Sequence, residues 1–376
     1  MKGTWERALF EDCVEKVTYT RKVQRKDFLP EGEHPIVSQE EEFINGYWNQ
    51  KADLFSVERP IIVFGDHTKV LKYVDFDFVL GADGVKILQP REFLLPRFFY
   101  YQLQTANLES LGYARHYRLL KELEIVYPPL PEQRRIVGIL DEAFEGIATA
   151  KANAEKNLQN ARALFESHLQ SVFAGAWQAC QLVSLSELAT DITDGDHLPP
   201  PKAPTGVPFI TIGNVAKDTR KIDLTDTFMV PRAYFDGLKE NKKPRRGDVL
   251  YTVTGSFGIP VVVDADIEFC FQRHIGLIRP KSQISTSWLS YLLLSPQVFA
   301  QANERATGTA QKTVSLNVLR KFTVPNVPPK DQRAAAARLD ALSAETDRLA
   351  SIYQQKLAAL EALKKSLLHQ AFSGEL

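Results

Sequence analysis

The sequence predicts an α+β chain built twice over. Two strand-rich mixed α/β parts are each followed by one long helix, and the two helices pair as an antiparallel coiled coil, giving a pseudo-twofold repeat. Three observations lead there. A proline-then-helix signature, "PPLPEQRRIVGILDEAF" (128–144), returns as "PPKDQRAAAARLDALS" (328–343). Its register, set by Gln133 and Gln332, holds at one offset of 199 residues through Arg134/Arg333, Leu140/Leu339, Asp141/Asp340, Leu158/Leu357, Phe173/Phe372 and Gly175/Gly374. Outside the two copies the pattern changes to short β-branched runs ended by turn residues.

The first part spans residues 1–127. Early in it stands "HPIV" (34–37), followed by the β-branched run "RPIIVFGD" (59–66). Then "VKILQP" (85–90) leads into an aromatic, leucine-rich helical stretch, "LLPRFFYYQLQ" (94–104). The second part, 181–326, repeats that order more loosely. "VPFI" (207–210) comes early, "GDVLYTVTGSFG" (247–258) is the β-branched run, and "IGLIRP" (275–280) precedes "STSWLSYLLLS" (285–295). The frame is shared and the loops differ.

The first helix is expected over 128–175 and the second over 327–376. Loops accept insertions freely, so a register unbroken over about 40 residues belongs to one continuous element. The seam of the first copy runs through Ile136, Leu140, Ile147 and Leu158, with Ala143, Ala150, Ala154, Ala161 and Phe165 between and beyond them. That of the second runs through Leu339, Leu342, Leu349, Leu357 and Leu360, interrupted at Thr346 and Lys364. Steps of three and four are those of a coiled-coil seam. Prolines stand where a helix can start but not continue, Glu132 and Asp331 suit the positive end of the helix dipole, and Gly175 and Gly374 fit the stop. Periodicity alone leaves a generic dimerisation coiled coil open.

The chain has 376 residues, 44% of them hydrophobic, enough for two or three domains. Lys+Arg and Asp+Glu are both 46, so any nucleic-acid surface must come from local clustering of charge. Three scattered cysteines, Cys13, Cys180 and Cys270, argue against a disulfide framework or structural zinc and suit a reducing cytoplasm. No signal peptide and no apolar run of membrane-spanning length is evident.

Basic and polar residues gather in the loops. In the first part these are Arg21, Lys22, Arg25 and Lys26 of "TRKVQRK", His67 and Lys69 of "GDHTK", and Arg115 and Arg118 of "ARHYR". In the second they are Lys242, Lys243, Arg245 and Arg246 of "KKPRRGD", Thr254 and Ser256 of "TGSFG", Arg273 of "FQRH", and Gln311 and Lys312 of "GTAQKT". Lys and Arg neutralise phosphates, while Arg, Gln and Thr can read base edges. For any one of them a solvated loop is the plainer reading; comparable clusters in both parts favour DNA.

Catalytic patterns are missing. There is no Walker A loop, no Asn/Asp-Pro-Pro-aromatic motif of amino-methyltransferases, and no Cys/His cluster with metal spacing. "DITDGDH" (191–197) packs acids beside a histidine, but a Gly-containing turn that opens the second part is the plainer reading. His168 and His369 read as surface or seam residues. The chain is expected to bind and not to catalyse.

In "YPPLPEQRRIVGILD" (127–141), "DGDHLPPPKAPTGVPFITIGNV" (194–215), "RRGDVLYTVTGSFG" (245–258), "GTAQKTVSLNVLRKFTVPNVPP" (308–329) and the ending "LLHQAFSGEL" (367–376), the chain resembles the DNA specificity subunits of type I restriction-modification systems. The order part, helix, part, helix matches along essentially the whole length. The resemblance implies two target recognition domains, each reading one half of an asymmetric two-part sequence in double-stranded DNA, and two conserved helices acting as a molecular ruler. It implies partners: two adenine-N6 methyltransferase (modification) subunits and ATP-dependent restriction/translocase subunits. S-adenosylmethionine, ATP and Mg²⁺ would sit on those partners, and this chain would bind none of them. It also implies a role in phage defence. One departure is that "LGYARHYRLLKEL" (111–123) matches "TGTAQKTVSLNVL" (307–319) poorly. Lys330-Asp331 replace Pro131-Glu132 in the second signature. The alternative is a coiled-coil scaffold with two protein-binding heads and no DNA role.

Overall fold

A computed structural model describes residues 5–109, 112, 114–309 and 311–376. Leu111 and Tyr113 of the poorly matching segment, and Ala310 of its counterpart, lie outside the described residues. The chain divides into two compact units, Met1–Glu155 with Gln354–Leu376, and Lys156–Tyr353. Each unit holds one strand-rich part and a piece of both long helices.

The first long helix is Leu130–Ala179 and the second is Pro329–Ser373. Each begins one or two residues after Pro128 or Pro328, where the missing proline N–H costs nothing. The second ends before Gly374, whose φ is +75°. Gly175 does not end the first, contrary to the sequence expectation. Trp177 packs against Phe173, ring centroids 6.3 Å apart, and Ala176 and Trp177 join the core of the second unit. Such packing outweighs the ~1 kcal/mol that a helical glycine costs.

Inside the first unit the helices run antiparallel. Arg135 donates to the Leu376 carbonyl at 2.8 Å, Lys364 lies over the Phe144 ring at 5.4 Å, and Lys151 pairs with Glu361 at 2.8 Å. Of the expected seam, Ile136, Leu140 and Leu339 are fully buried, while Ile147, Leu158, Leu342, Leu349, Leu357 and Leu360 are half-buried. Ala154 and Ala161 are buried. The two interruptions are accommodated locally: the Thr346 hydroxyl donates to the Leu342 and Ser343 carbonyls at 3.0 Å, and Lys364 is the cation over Phe144.

In the first unit, Ile61–Gly65 is the centre of a three-stranded antiparallel sheet between Leu71–Val74 and Val85–Leu88. The run "IIVFG" is buried throughout, as a strand covered on both faces must be. A second, mixed sheet joins Lys22–Val23, Phe78–Gly81, His34–Val37 and Gly46–Trp48, with Leu54–Phe55 also on Phe78–Gly81. In the second unit, Val249–Thr252 lies between Pro260–Val262 and Ile275–Pro280, with Ala189–Asp194 beyond the latter. Val207–Ile210 joins Phe228–Val230 and Cys270–Phe271 in a smaller sheet. "VKILQP" and "IGLIRP" therefore hold the same place in their sheets, and each leads to a helix, Pro96–Thr105 or Thr286–Leu294.

That following helix is tied to the long helix by the same two bonds in both units. Gln133 and Gln332 are buried. Gln133 accepts the Leu95 N–H at 2.8 Å and donates to the Phe93 and Pro128 carbonyls. Gln332 accepts the Ser285 N–H at 2.9 Å and donates to the Val327 carbonyl at 2.7 Å. About two turns later Tyr101 donates to Asp141, and Tyr291 to Asp340 at 2.8 Å. The paired residues of the repeat are thus the residues that seat a globular part on its helix.

Candidate nucleic-acid interface

In the second unit the candidate residues lie on loops that leave the ends of sheet strands and bond to one another. Val253 N–H donates to the His274 carbonyl, Val314 N–H to the Val253 carbonyl, and Gly255 N–H to the Lys312 carbonyl, at 2.8–3.0 Å. Arg273 N–H donates to the Asp196 carbonyl at 3.0 Å. The segments around Asp196, Arg273, Thr254 and Lys312 are in this way one continuous ridge. Ser256, Arg273, Gln311 and Lys312 are exposed on it. Thr254 is not: it is buried, with the Thr313 hydroxyl donating to its oxygen at 3.3 Å, so it joins two loops and offers no free edge. Lys312 reaches Asn303 at 3.3 Å, which holds its ammonium near the surface.

The run "KKPRRGD" behaves differently. Lys242 turns inward to the Gly195 carbonyl at 3.1 Å and lies 4.0 Å from Asp196. Lys243 and Arg245 both pair with Glu240, at 2.8 and 2.7 Å, and their hydrogen bonds hold the Glu240 carboxyl below its ordinary range. Arg246 lies 3.9 Å from Asp266. Asp248, buried, accepts from Arg279. A run that reads as bare positive charge is largely neutralised by Glu240, three and five residues before Lys243 and Arg245, and by Asp196 and Asp266 farther along the chain.

The first unit is built on the same plan. Asp66, buried, receives the Tyr117 N–H on its carboxylate at 2.8 Å, while its carbonyl accepts the His116 N–H at 2.7 Å. This matches the Val253–Val314 bond. Both segments then enter a five-residue helix, Tyr117–Lys121 or Leu316–Arg320, and a strand, Glu124–Tyr127 or Thr323–Pro325. The poorly matching sequence therefore holds the matching place. Its residues differ because one unit uses an aspartate where the other uses threonines.

Around this hub, His67 N–H bonds the Gln39 side chain at 3.2 Å, and Lys69 donates to the Leu108 carbonyl at 3.2 Å. Lys22, half-buried, donates to the Val85 carbonyl at 2.9 Å; burial lowers its pKa, and repulsion from Lys86 lowers it further. Arg115, Arg118 and Lys26 are exposed. Arg25 pairs with Glu40 at 3.2 Å, and Arg21 lies 3.9 Å from Asp53. Sequence reasoning missed Lys86 and Gln39. Lys86 alternates with inward-facing Val85 and Ile87, a signal that was available; nothing local marks Gln39.

Among the described residues no group of three His, Cys, Asp or Glu side chains is placed to hold a metal, and no helix is long and apolar enough to cross a membrane. His197 and Asp194 of the acidic turn simply pair at 2.9 Å.

Comparison with known proteins gives one answer. The family model for the type I restriction modification DNA specificity domain matches residues 3–159 and 177–361. The type I restriction enzyme EcoBI specificity subunit of Escherichia coli is 23% identical over 365 residues, 88% of this chain and 75% of that protein. The MjaVIII specificity subunit of Methanocaldococcus jannaschii is 23% identical over 328 residues, 79% of this chain and 74% of that one. A chain from a structure titled for complex assembly and conformational transition of the type I R-M system has a TM-score of 0.74 at 19% identity, covering 100% of this chain and 99% of that one. The HsdS subunit from Thermoanaerobacter tengcongensis has a TM-score of 0.53 at 20% identity, with 100% and 98% covered. These two likenesses carry the fold.

Proposed function

The chain belongs to the type I restriction-modification DNA specificity family, and we propose from that premise how it reads DNA. Each strand-rich part, 1–127 and 181–326, acts as a target recognition domain for one half of an asymmetric two-part site. The observation that carries this is the bonded ridge of loops in the second unit, with its counterpart around Asp66 in the first. A ridge built from strand ends is held to a fixed form while its exposed side chains vary, which is what base readout requires.

The chain is the non-catalytic specificity member of a restriction-modification system, as its relatives are. Nothing favours the alternative of a scaffold without a DNA role. Arg273, Gln311, Lys312 and Ser256 are the contacts we assign to the second half-site; Lys22, Lys26, His67, Lys69, Arg115 and Arg118 are those of the first, while Lys86 lies 4.0 Å from Asp66. Lys242, Lys243, Arg245 and Arg246 contribute less, because their acids neutralise them first. Two adenine-N6 methyltransferase subunits dock on the conserved helices, 128–175 and 327–376 in the sequence division, and restriction/translocase subunits complete the enzyme. S-adenosylmethionine, ATP and Mg²⁺ belong to those subunits, and the complex works on chromosomal DNA in the cytoplasm.

Co-expression with the methyltransferase subunit of its system, followed by mapping of N6-methyladenine in the host DNA, tests the reading. A two-part motif is expected, and substitution of Gln311 with Lys312 should alter one half only. A motif that persists when this chain is omitted would overturn the reading.

A further inference from the structure

We propose that Leu198 is an apolar wedge that enters the DNA and unstacks one base step in the half-site read by the second unit. This rests on the DNA reading above and assigns a residue to it that carries no charge and makes no base-edge bond.

Leu198 is 80% exposed, the highest value among the exposed large hydrophobic side chains of the described residues. It stands at the tip of the loop 195–206, in the sequence His197-Leu198-Pro199-Pro200-Pro201-Lys202. The loop is not free to fold its leucine back. At one end, Asp196 N–H donates to the Phe271 carbonyl at 3.0 Å, the Asp196 carbonyl accepts from Arg273 N–H, and the Asp196 carboxylate accepts from the Tyr234 hydroxyl at 2.6 Å. At the other, Ala203 N–H donates to the Met229 carbonyl at 2.9 Å. Both ends lie flush on the sheet because Gly195 and Gly206 lack side chains: a Cβ would strike the Phe271 carbonyl at Gly195 and the Val230 carbonyl at Gly206. Three consecutive prolines stiffen the span between.

A pinned, proline-stiffened loop that holds a leucine out in water forgoes the burial a looser loop would gain. The surroundings say what covers it. Arg273, exposed, bonds to the base of the loop through its backbone, and Lys202, exposed on the loop itself, lies over the Phe228 ring at 5.0 Å. An apolar tip continuous with the loop ridge and flanked by cations suits a base step between two phosphate backbones. Leucine and proline are among the side chains that enter base steps from the minor groove, and the kink they force depends on how readily that step opens. Leu198 therefore selects sequence through deformability, favouring a pyrimidine–purine step.

The test uses the complex of the chain with its methyltransferase subunits and a duplex carrying the mapped site. 2-Aminopurine is placed in turn at each position of the second half-site except the methylated adenine, which a methyltransferase itself flips out of the stack. With the native chain, one position should brighten severalfold on binding. Leu198→Ser should abolish that rise and weaken binding about tenfold at every salt concentration, leaving the slope of log K against log[salt] unchanged because no phosphate contact is lost. Leu198→Phe should restore the rise, and Arg273→Ala should lower the slope by about one. A rise that survives Leu198→Ser, or a Leu198→Ser variant with a reduced salt slope, would overturn the wedge while leaving DNA reading intact. Failure of the native complex to bind its mapped site would sink both.

Discussion

Gln332, buried in the first turn of the second long helix, accepts the N–H of Ser285, the residue that opens another helix, at 2.9 Å. Its own amide donates to the Val327 carbonyl at 2.7 Å. An amide side chain here supplies both a cap for one helix and a lock on the entry to another. Gln133 does the same for Leu95 in the first unit. Recurrence of one buried polar device at the register point of the repeat explains why the glutamine is common to both signatures.

Replacing Gln332 with alanine should therefore damage the second unit out of proportion to the atoms removed. It leaves the Ser285 N–H and the Val327 carbonyl buried without partners, at roughly 1–3 kcal/mol each. Urea unfolding followed through Trp288 fluorescence should show its midpoint falling, and Gln332→Glu should not recover the loss at neutral pH, because a carboxylate cannot donate to the Val327 carbonyl. An unshifted midpoint for Gln332→Ala would show that the clamp contributes nothing.

Thiol chemistry should distinguish the three cysteines. Cys13 and Cys270 are buried, and burial pushes their thiols up to about 11 and about 12. At pH 8 almost none of either is thiolate, the reactive form. Cys180 is only partly covered. A disulfide reagent should titrate one fast thiol in the native chain and three after unfolding, with the fast one absent in Cys180→Ser. Two or more fast thiols would contradict the burial of Cys13 and Cys270.

Lys72 carries a pH dependence of definite sign. It is buried, donating to the carbonyls of Glu42 and Phe43 and to the Asn45 side chain, and desolvation lowers its pKa to about 8. Unfolded lysine titrates near 10.4, so between about pH 8 and 10 the unfolded chain holds a proton the folded chain has released. Stability contributed by this group rises with pH across that window. Native chain minus Lys72→Met, compared by denaturant unfolding at pH 7, 8, 9 and 10, should show a difference that grows with pH. A flat difference would mean that the ammonium is not desolvated.

Charge reversals should separate exposed cations from neutralised ones. Lys312→Glu and Arg273→Glu should weaken DNA binding for every sequence and flatten its salt dependence by at least one unit of slope. Arg245→Glu should do less, since Arg245 already pairs with Glu240 at 2.7 Å. Equal effects from all three would show that the Glu240 pair opens on binding.

The candidate site was legible in part. "TGSFG", "FQRH" and "GTAQKT" carry turn and polar residues, and the fold joins these loops by backbone bonds. The basic run 242–246 reads as bare charge in the sequence because its pairs with Asp196, Glu240 and Asp266 form only in the fold; ion pairs are invisible to a count of like charges. Leu198 was passed over because an exposed leucine has meaning only once its loop is known to be rigid.

By itself the sequence determined the repeat, the two long helices, the order of elements in each part and the family. These follow from period and register, which are properties of the chain read in one dimension. Tertiary structure alone decided that the first helix continues past Gly175 to Ala179, that "ARHYRLL" stands where "QKTVSLNVL" does, that Thr254 is internal, and which cations remain free. Each of these turns on a contact that only the folded chain makes: Trp177 against the second core, the Tyr117 N–H on the Asp66 carboxylate, the Thr313 hydroxyl on Thr254, and Lys243 and Arg245 turned onto Glu240 a few residues away. Local propensities are worth about 1 kcal/mol or less per residue, and burying an aromatic ring or satisfying a buried carboxylate is worth more, so the tertiary contact prevails.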